Sequence, residues 1–164
     1  MLTKLGTVGV GLALIGTAAG GISAAVASTG IPQPETIVVV AEVIEGTYVD
    51  TVDTGKVTNP GDYFVFREQL LDETRTTRLG VARGTCTLIT KHWSLCEVAL
   101  FIRERGEIMI EGTIRFLPEW TADLSVTGGT GEFDNVRGAA HIELLSPDSE
   151  SGLGEVRVTL NLIP

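Results

Sequence analysis

The chain has 164 residues, 43% of them hydrophobic, and a formal charge of −9 at pH 7. That length supports one domain with a real core. The acidic balance excludes a nucleic-acid binder, which needs a basic patch to release counterions, and argues against docking on anionic membranes.

Residues 1–27 stand apart from the rest. Lys4 is followed by no charged residue until Glu35, and the stretch between is apolar and built mostly of small side chains. A short basic start, an apolar middle and "AVA" before Ser28 predict a secretory signal peptide cut after Ala27. The competing reading is an uncleaved membrane anchor, but so many glycines and alanines make a weakly hydrophobic span. Cleavage removes Lys4 and no acid, so the mature charge moves from −9 to about −10. The mature protein is then expected outside the cell, with no stable membrane insertion. Residues 28–35, "STGIPQPE", form a polar, proline-bearing leader.

From residue 36 to 164 the pattern is β throughout. Eight candidate strands cover 36–44, 62–72, 76–90, 94–103, 106–116, 121–127, 135–145 and 153–163. Gly, Pro, Asp and Ser punctuate the turns at 58–62, 104–106, 128–134 and 146–152. Eight short antiparallel strands predict a barrel or a sandwich, and closure as a barrel removes the exposed edges. Period two sorts the faces. Ile108, Ile110, Ile114 and Phe116 share one, Val156, Val158, Leu160 and Leu162 another, and polar residues alternate with them.

Cys86 and Cys96 lie five residues either side of Lys91, within "GTCTLITKHWSLCEVALF". A hairpin turning at "TKHWS" sets them opposite one another, at nearly the Cβ separation that a disulfide needs. Two buried free thiols are the plainer alternative. No metal site is expected: the only histidines are His92 and His141, and nothing has zinc-ligand spacing.

The stretch "VTGGTGEFDNVRGAA" (126–140) looks at first like a phosphate cradle. Such a loop opens a helix and carries a Gly-Lys-Ser/Thr ending. Here a strand pattern follows and no lysine does, and Asp134 stands where a dinucleotide fingerprint has its third glycine. The glycines are expected to supply positive φ in a hairpin turn or bulge.

The same stretch resembles the "GGTG-x-F/Y-x-x-A-R-G" signature near the C-terminus of dirigent proteins, with Val136 in place of its alanine. Residues 61–86, "GDYFVFREQLLDETRTTRLGVARGTC", are similar to the dirigent pattern in which an "F-x-D-x-L" strand leads into "V-G-x-x-x-G"; Leu79, Gly80 and Gly84 stand in for the latter. Allene oxide cyclases and spirotetronate-type cyclases share that barrel. The resemblance covers residues 36–163. It implies an eight-stranded antiparallel β-barrel of the allene oxide cyclase type, often trimeric, whose apolar lumen shapes a reactive intermediate without metal or organic cofactor.

Three residues are the catalytic candidates. Glu42 alternates with Val38, Val40 and Ile44, and Glu68 with Phe64, Phe66 and Leu70. A lone carboxyl in an apolar stripe that lines a lumen has its pKa raised and can share or donate a proton. If either sits near a strand end it simply reaches water. Arg137 matches the arginine of the dirigent signature, where it borders the pocket and can anchor a phenolate or carboxylate. Simple alternation puts it in water, with His141 and Glu143; a bulge near Asn135 would reverse that. Dirigent pockets also carry an aspartate near this turn, for which Asp134 is the nearest candidate. Trp93 and Trp120, at strand ends, are placed to rim or plug a barrel mouth.

The expected function is a secreted barrel that binds a small apolar or aromatic molecule and steers its cyclisation or coupling, as an isomerase-type cyclase or as a non-catalytic steering protein. A lipocalin-like carrier and a structural exported barrel are the alternatives. A homotrimer or homodimer fits the resemblance.

Overall fold

The computed structural model describes residues 33–55, 59–117, 119–146 and 154–163. The expected signal peptide and the cut after Ala27 lie outside the described residues. Eight strands, and no helix among the described residues, account for the fold: β1 Glu35–Val49, β2 Tyr63–Leu71, β3 Arg78–Thr90, β4 Trp93–Ile102, β5 Gly106–Arg115, β6 Thr121–Gly131, β7 Arg137–Ser146 and β8 Glu155–Ile163. Each pairs antiparallel with the next, and β8 pairs back onto β1, so the sheet is a closed barrel. Closure leaves no strand with an unpaired edge.

Inside sit the apolar members of each alternation. Ile108, Ile110 and Ile114 of β5, and Val156, Val158, Leu160 and Leu162 of β8, are buried as period two predicts. Two strands run further than their sequence patterns suggest. β1 continues to Val49 rather than ending near residue 44, because a bulge between Val43 and Glu45 resets the pairing with β2. The extra residue, Ile44, switches the inward parity from Ala41 and Val43 to Gly46 and Tyr48. β6 continues to Gly131 rather than stopping near 127, through a second bulge against β5 between Met109 and Ile110.

The extension of β6 corrects the expected role of its glycines. Gly128 and Gly129 are strand residues paired with Met109 and Ile108, and the turn comes after them. A Cβ on Gly129 would lie 2.5 Å from the Glu107 carbonyl and 2.6 Å from that of Phe133. Glycine is therefore needed for close backbone approach: the chain folds back over Gly129 and drops Phe133, 2% exposed, into the barrel end. Within residues 126–140, positive φ occurs at Gly131 (67°), Asn135 (62°) and Gly138 (146°).

Cys86 and Cys96 are directly opposed in the β3–β4 ladder and form a disulfide, with their Cα atoms 4.0 Å apart. Both are buried in the core.

Candidate functional site

The barrel has a lumen, and β2 supplies much of its chemistry. Phe64, Phe66, Glu68 and Leu70 alternate inward along this strand. Opposite them stand aliphatic residues such as Leu100, Ile110, Ile142 and Val156. Glu68 is flanked by Val43 on β1 and Ala82 on β3, and the small Ala82 leaves its carboxyl room. The free space admits water-sized centres over about 50 Å³, enough for roughly three or four waters. A larger open groove of about 400 Å³ crosses the outer face between Glu45 and Met109. It has no enclosing wall.

One end of the lumen is aromatic. Phe64 packs against Tyr48 at 5.3 Å, Phe66 at 5.7 Å and Phe116 at 5.7 Å between ring centroids. Trp120 meets Phe116 edge-on, at 5.3 Å and 82°. These separations suit tilted and edge-to-face pairs. The ring of Phe66 lies across Gly84 on β3, where a Cβ would strike it. Phe133 and Val136 close the other end. Beneath Phe133, the Arg105 guanidinium stacks 4.7 Å from the ring centroid. It donates to both carboxylate oxygens of Glu35 at 2.8 Å, and to Glu132 at 2.7 Å. That pairing raises the Arg105 pKa; the hydrogen bond from Arg105 lowers that of Glu35. The clamp ties β1 to the β4–β5 and β6–β7 turns.

Among the described residues, Glu68 is the lone ionisable side chain of the lumen lining. No described residue gives its carboxyl a hydrogen bond or an ion pair. Burial pushes its pKa up to about 7, because charge is poorly solvated among hydrocarbon walls.

The other two candidates lie elsewhere. Glu42 is paired in register with Gln69 and Glu155, on the outer face. It accepts a hydrogen bond from Gln69 Nε2 at 2.6 Å, near Arg75, which itself pairs with Glu155. The inward stripe of β1 is Ile37, Val39 and Ala41 instead of Val38, Val40 and Glu42. Arg137 is exposed at the start of β7 and donates to the Val136 carbonyl at 2.7 Å. Asn135 takes positive φ without a register shift in the β6–β7 ladder, so Arg137 stays outside. The structure therefore separates the three: one in the lumen, two outside it.

Asp134 is an exposed turn residue, accepting from Asn135 Nδ2 at 3.1 Å. Trp120 lines the lumen, whereas Trp93 is exposed on the wall beneath the Arg115 guanidinium. His92 is exposed in the β3–β4 turn, and His141 Nδ1 meets Asp123 Oδ1 at 2.7 Å on the outer face. No cluster of three or more His, Cys, Asp or Glu able to hold a metal occurs among the described residues. Sequence reasoning missed Tyr48, whose inward parity depends on the Ile44 bulge. It also missed Phe133, read only as part of a turn although an aromatic in "GGTGEFD" was a signal that the turn buries something.

No protein family and no curated protein matches the chain by sequence. Solved structures do match. A pterocarpan synthase dirigent protein aligns over 90% of this chain and 98% of its own, with a TM-score of 0.68 and 17% identity. The barrel is a dirigent-type fold. A pyocyanin demethylase covers 79% of this chain and 100% of its own, at TM-score 0.63 and 20% identity. The exo-specific intermolecular Diels–Alderase AbnU covers 80% and 98%, at TM-score 0.60 and 17% identity. Dirigent proteins and cyclase barrels thus share this architecture, as the "GGTGEFDNVRG" resemblance implies.

Proposed function

We propose that the protein is an exported barrel that holds a small apolar or aromatic molecule in its lumen and steers its cyclisation or coupling, with Glu68 sharing or donating a proton. One observation carries this: a half-buried carboxyl without a partner among the described residues, set in an otherwise apolar lumen. Burying such a group costs stability, and an acid kept at that cost is a functional-site candidate. The neighbours support the reading, since one is a Diels–Alderase and another a pterocarpan synthase dirigent protein. Holding a flexible substrate in one folded shape removes several kcal/mol from a ring-closing barrier by orientation alone, and a placed acid stabilises charge that develops. The cross-strand disulfide suits an oxidising compartment. The narrowness of the free space favours a second reading, a structural barrel filled by its own side chains.

The test begins with the exported protein, whose mass should start at Ser28. Protein-observed NMR with a library of small aromatics should shift lumen resonances, notably those of Phe64, Phe66 and Leu100. With a substrate in hand, Glu68→Gln should change yield or stereochemistry by tenfold or more, while Glu42→Gln and Arg137→Leu stay near wild type. A lumen that takes no apolar molecule would leave the structural reading standing. Equal effects from all three variants would move the site elsewhere.

A further inference from the structure

Resting on that reading, the polarity of the lumen narrows the kind of molecule it accepts. Among the described residues Glu68 is its one ionisable group, and no described Lys, Arg or His lines it. An anionic ligand would therefore be buried beside a carboxyl with nothing to neutralise it, a costly arrangement. A pure hydrocarbon would leave the carboxyl unsatisfied, which costs the desolvation of that group. A ketone or ester offers it one neutral hydrogen bond.

A weak base does more. It can enter uncharged, so no ion has to leave water. Once inside, the Glu68 O–H bond breaks and an N–H bond forms at the ligand, giving a carboxylate and a ligand cation in contact. Hydrogen bonds between such ions are roughly twice as strong as neutral ones. The rings at the aromatic end add to this. Phe66 stands two residues from Glu68 on the same strand face, with Phe64, Phe116 and Trp120 beyond it. Ring faces attract organic cations, most strongly where water is excluded. The whole chain carries −9, and that field favours a cation within.

We propose that the lumen takes a small aromatic or conjugated molecule bearing a weakly basic nitrogen, which accepts the Glu68 proton and rests as a cation between that carboxylate and the ring faces.

Three probes of similar size test this on the full chain at pH 7: 4-methylpyridine, toluene and benzaldehyde, titrated calorimetrically. The base should bind at least tenfold tighter than toluene. In Glu68→Gln that advantage should fall at least fivefold, because the amide still donates a hydrogen bond but has no proton to give. Toluene should bind both proteins alike, which also shows that the variant is folded. The ultraviolet spectrum of bound 4-methylpyridine should be that of the pyridinium ion in wild type and of the neutral ring in the variant. A neutral spectrum in wild type, or a preference for benzaldehyde, overturns the proposal while leaving a ligand-binding lumen intact. Failure of all three probes to bind removes the lumen reading, and this inference with it.

Discussion

Glu68 makes the stability of the protein depend on pH in an unusual direction. Its folded-state pKa is raised from 4.5 to about 7 by burial. Between those values the folded protein holds a proton that the unfolded chain has released, so stability falls as pH rises through that window. Below about pH 4.5 the residue costs nothing by this route; above 7 the full penalty applies, on the order of 3 kcal/mol. Most carboxylates run the other way, because pairing and hydrogen bonds lower their pKa values. Asp72, held by Thr74, Thr76 and Thr77 in the β2–β3 turn and lowered to about 2, is such a case here. Urea unfolding of wild type and Glu68→Gln at pH 4 and pH 8 separates the contributions. The variant should gain about 3 kcal/mol relative to wild type on going from pH 4 to pH 8. A difference that does not change with pH would mean that Glu68 titrates alike in the folded and unfolded protein, and that burial does not desolvate it.

At the scale of the element, the β6–β7 hairpin shows what a glycine-rich stretch can be for. Gly128 and Gly129 are neighbours in one strand but have different surroundings. A Cβ at Gly128 would meet only Arg137 Nη1 at 3.6 Å, whereas at Gly129 it would meet two carbonyl oxygens and the Phe133 side chain within 2.7 Å. Gly129→Ala should therefore cost about 1–3 kcal/mol, as overpacking typically does. Gly128→Ala should be neutral, and Phe133→Ala should lose about 3–5 kcal/mol through the cavity that it leaves. Denaturant midpoints for the three variants decide it; equal losses at Gly128 and Gly129 would sink the close-approach account. The comparison also marks how far the sequence was legible. Period two placed the apolar faces of β2, β5, β7 and β8, since in each strand the inward side chains alternate without interruption over the part that lines the core. It grouped Glu42 with Val38 and Val40 correctly but took that face for the inner one, because β1 buries Val40 as well as Val39 and Ala41, so both faces of that strand read as apolar. The bulge at Ile44 then reversed the parity beyond it. Bulges and fold-backs depend on what a neighbouring strand presents, and no local pattern encodes that.

Across the whole molecule, closure makes each strand depend on both neighbours, and one covalent link reinforces the ring. The Cys86–Cys96 bridge spans the β3–β4 hairpin, ten residues apart in sequence, and forms part of the lumen wall through Cys86. A cross-link over so short a loop removes less freedom from the unfolded chain than a long one would, and the chain-entropy relation gives about 3 kcal/mol. Reduction should not open the barrel, because the β3–β4 ladder runs from Gly80↔Ile102 to Thr90↔Trp93 and holds without the sulfurs. The expected result is thus a reduced protein that keeps its β-sheet circular dichroism and unfolds with a stability lower by about 3 kcal/mol. Thiol labelling supplies the direct check. The oxidised protein, unfolded without reductant, should take up no label, and the reduced protein should take up two. Full labelling before reduction would show that the cysteines are free thiols lying side by side, and the loss on reduction would then be absent as well.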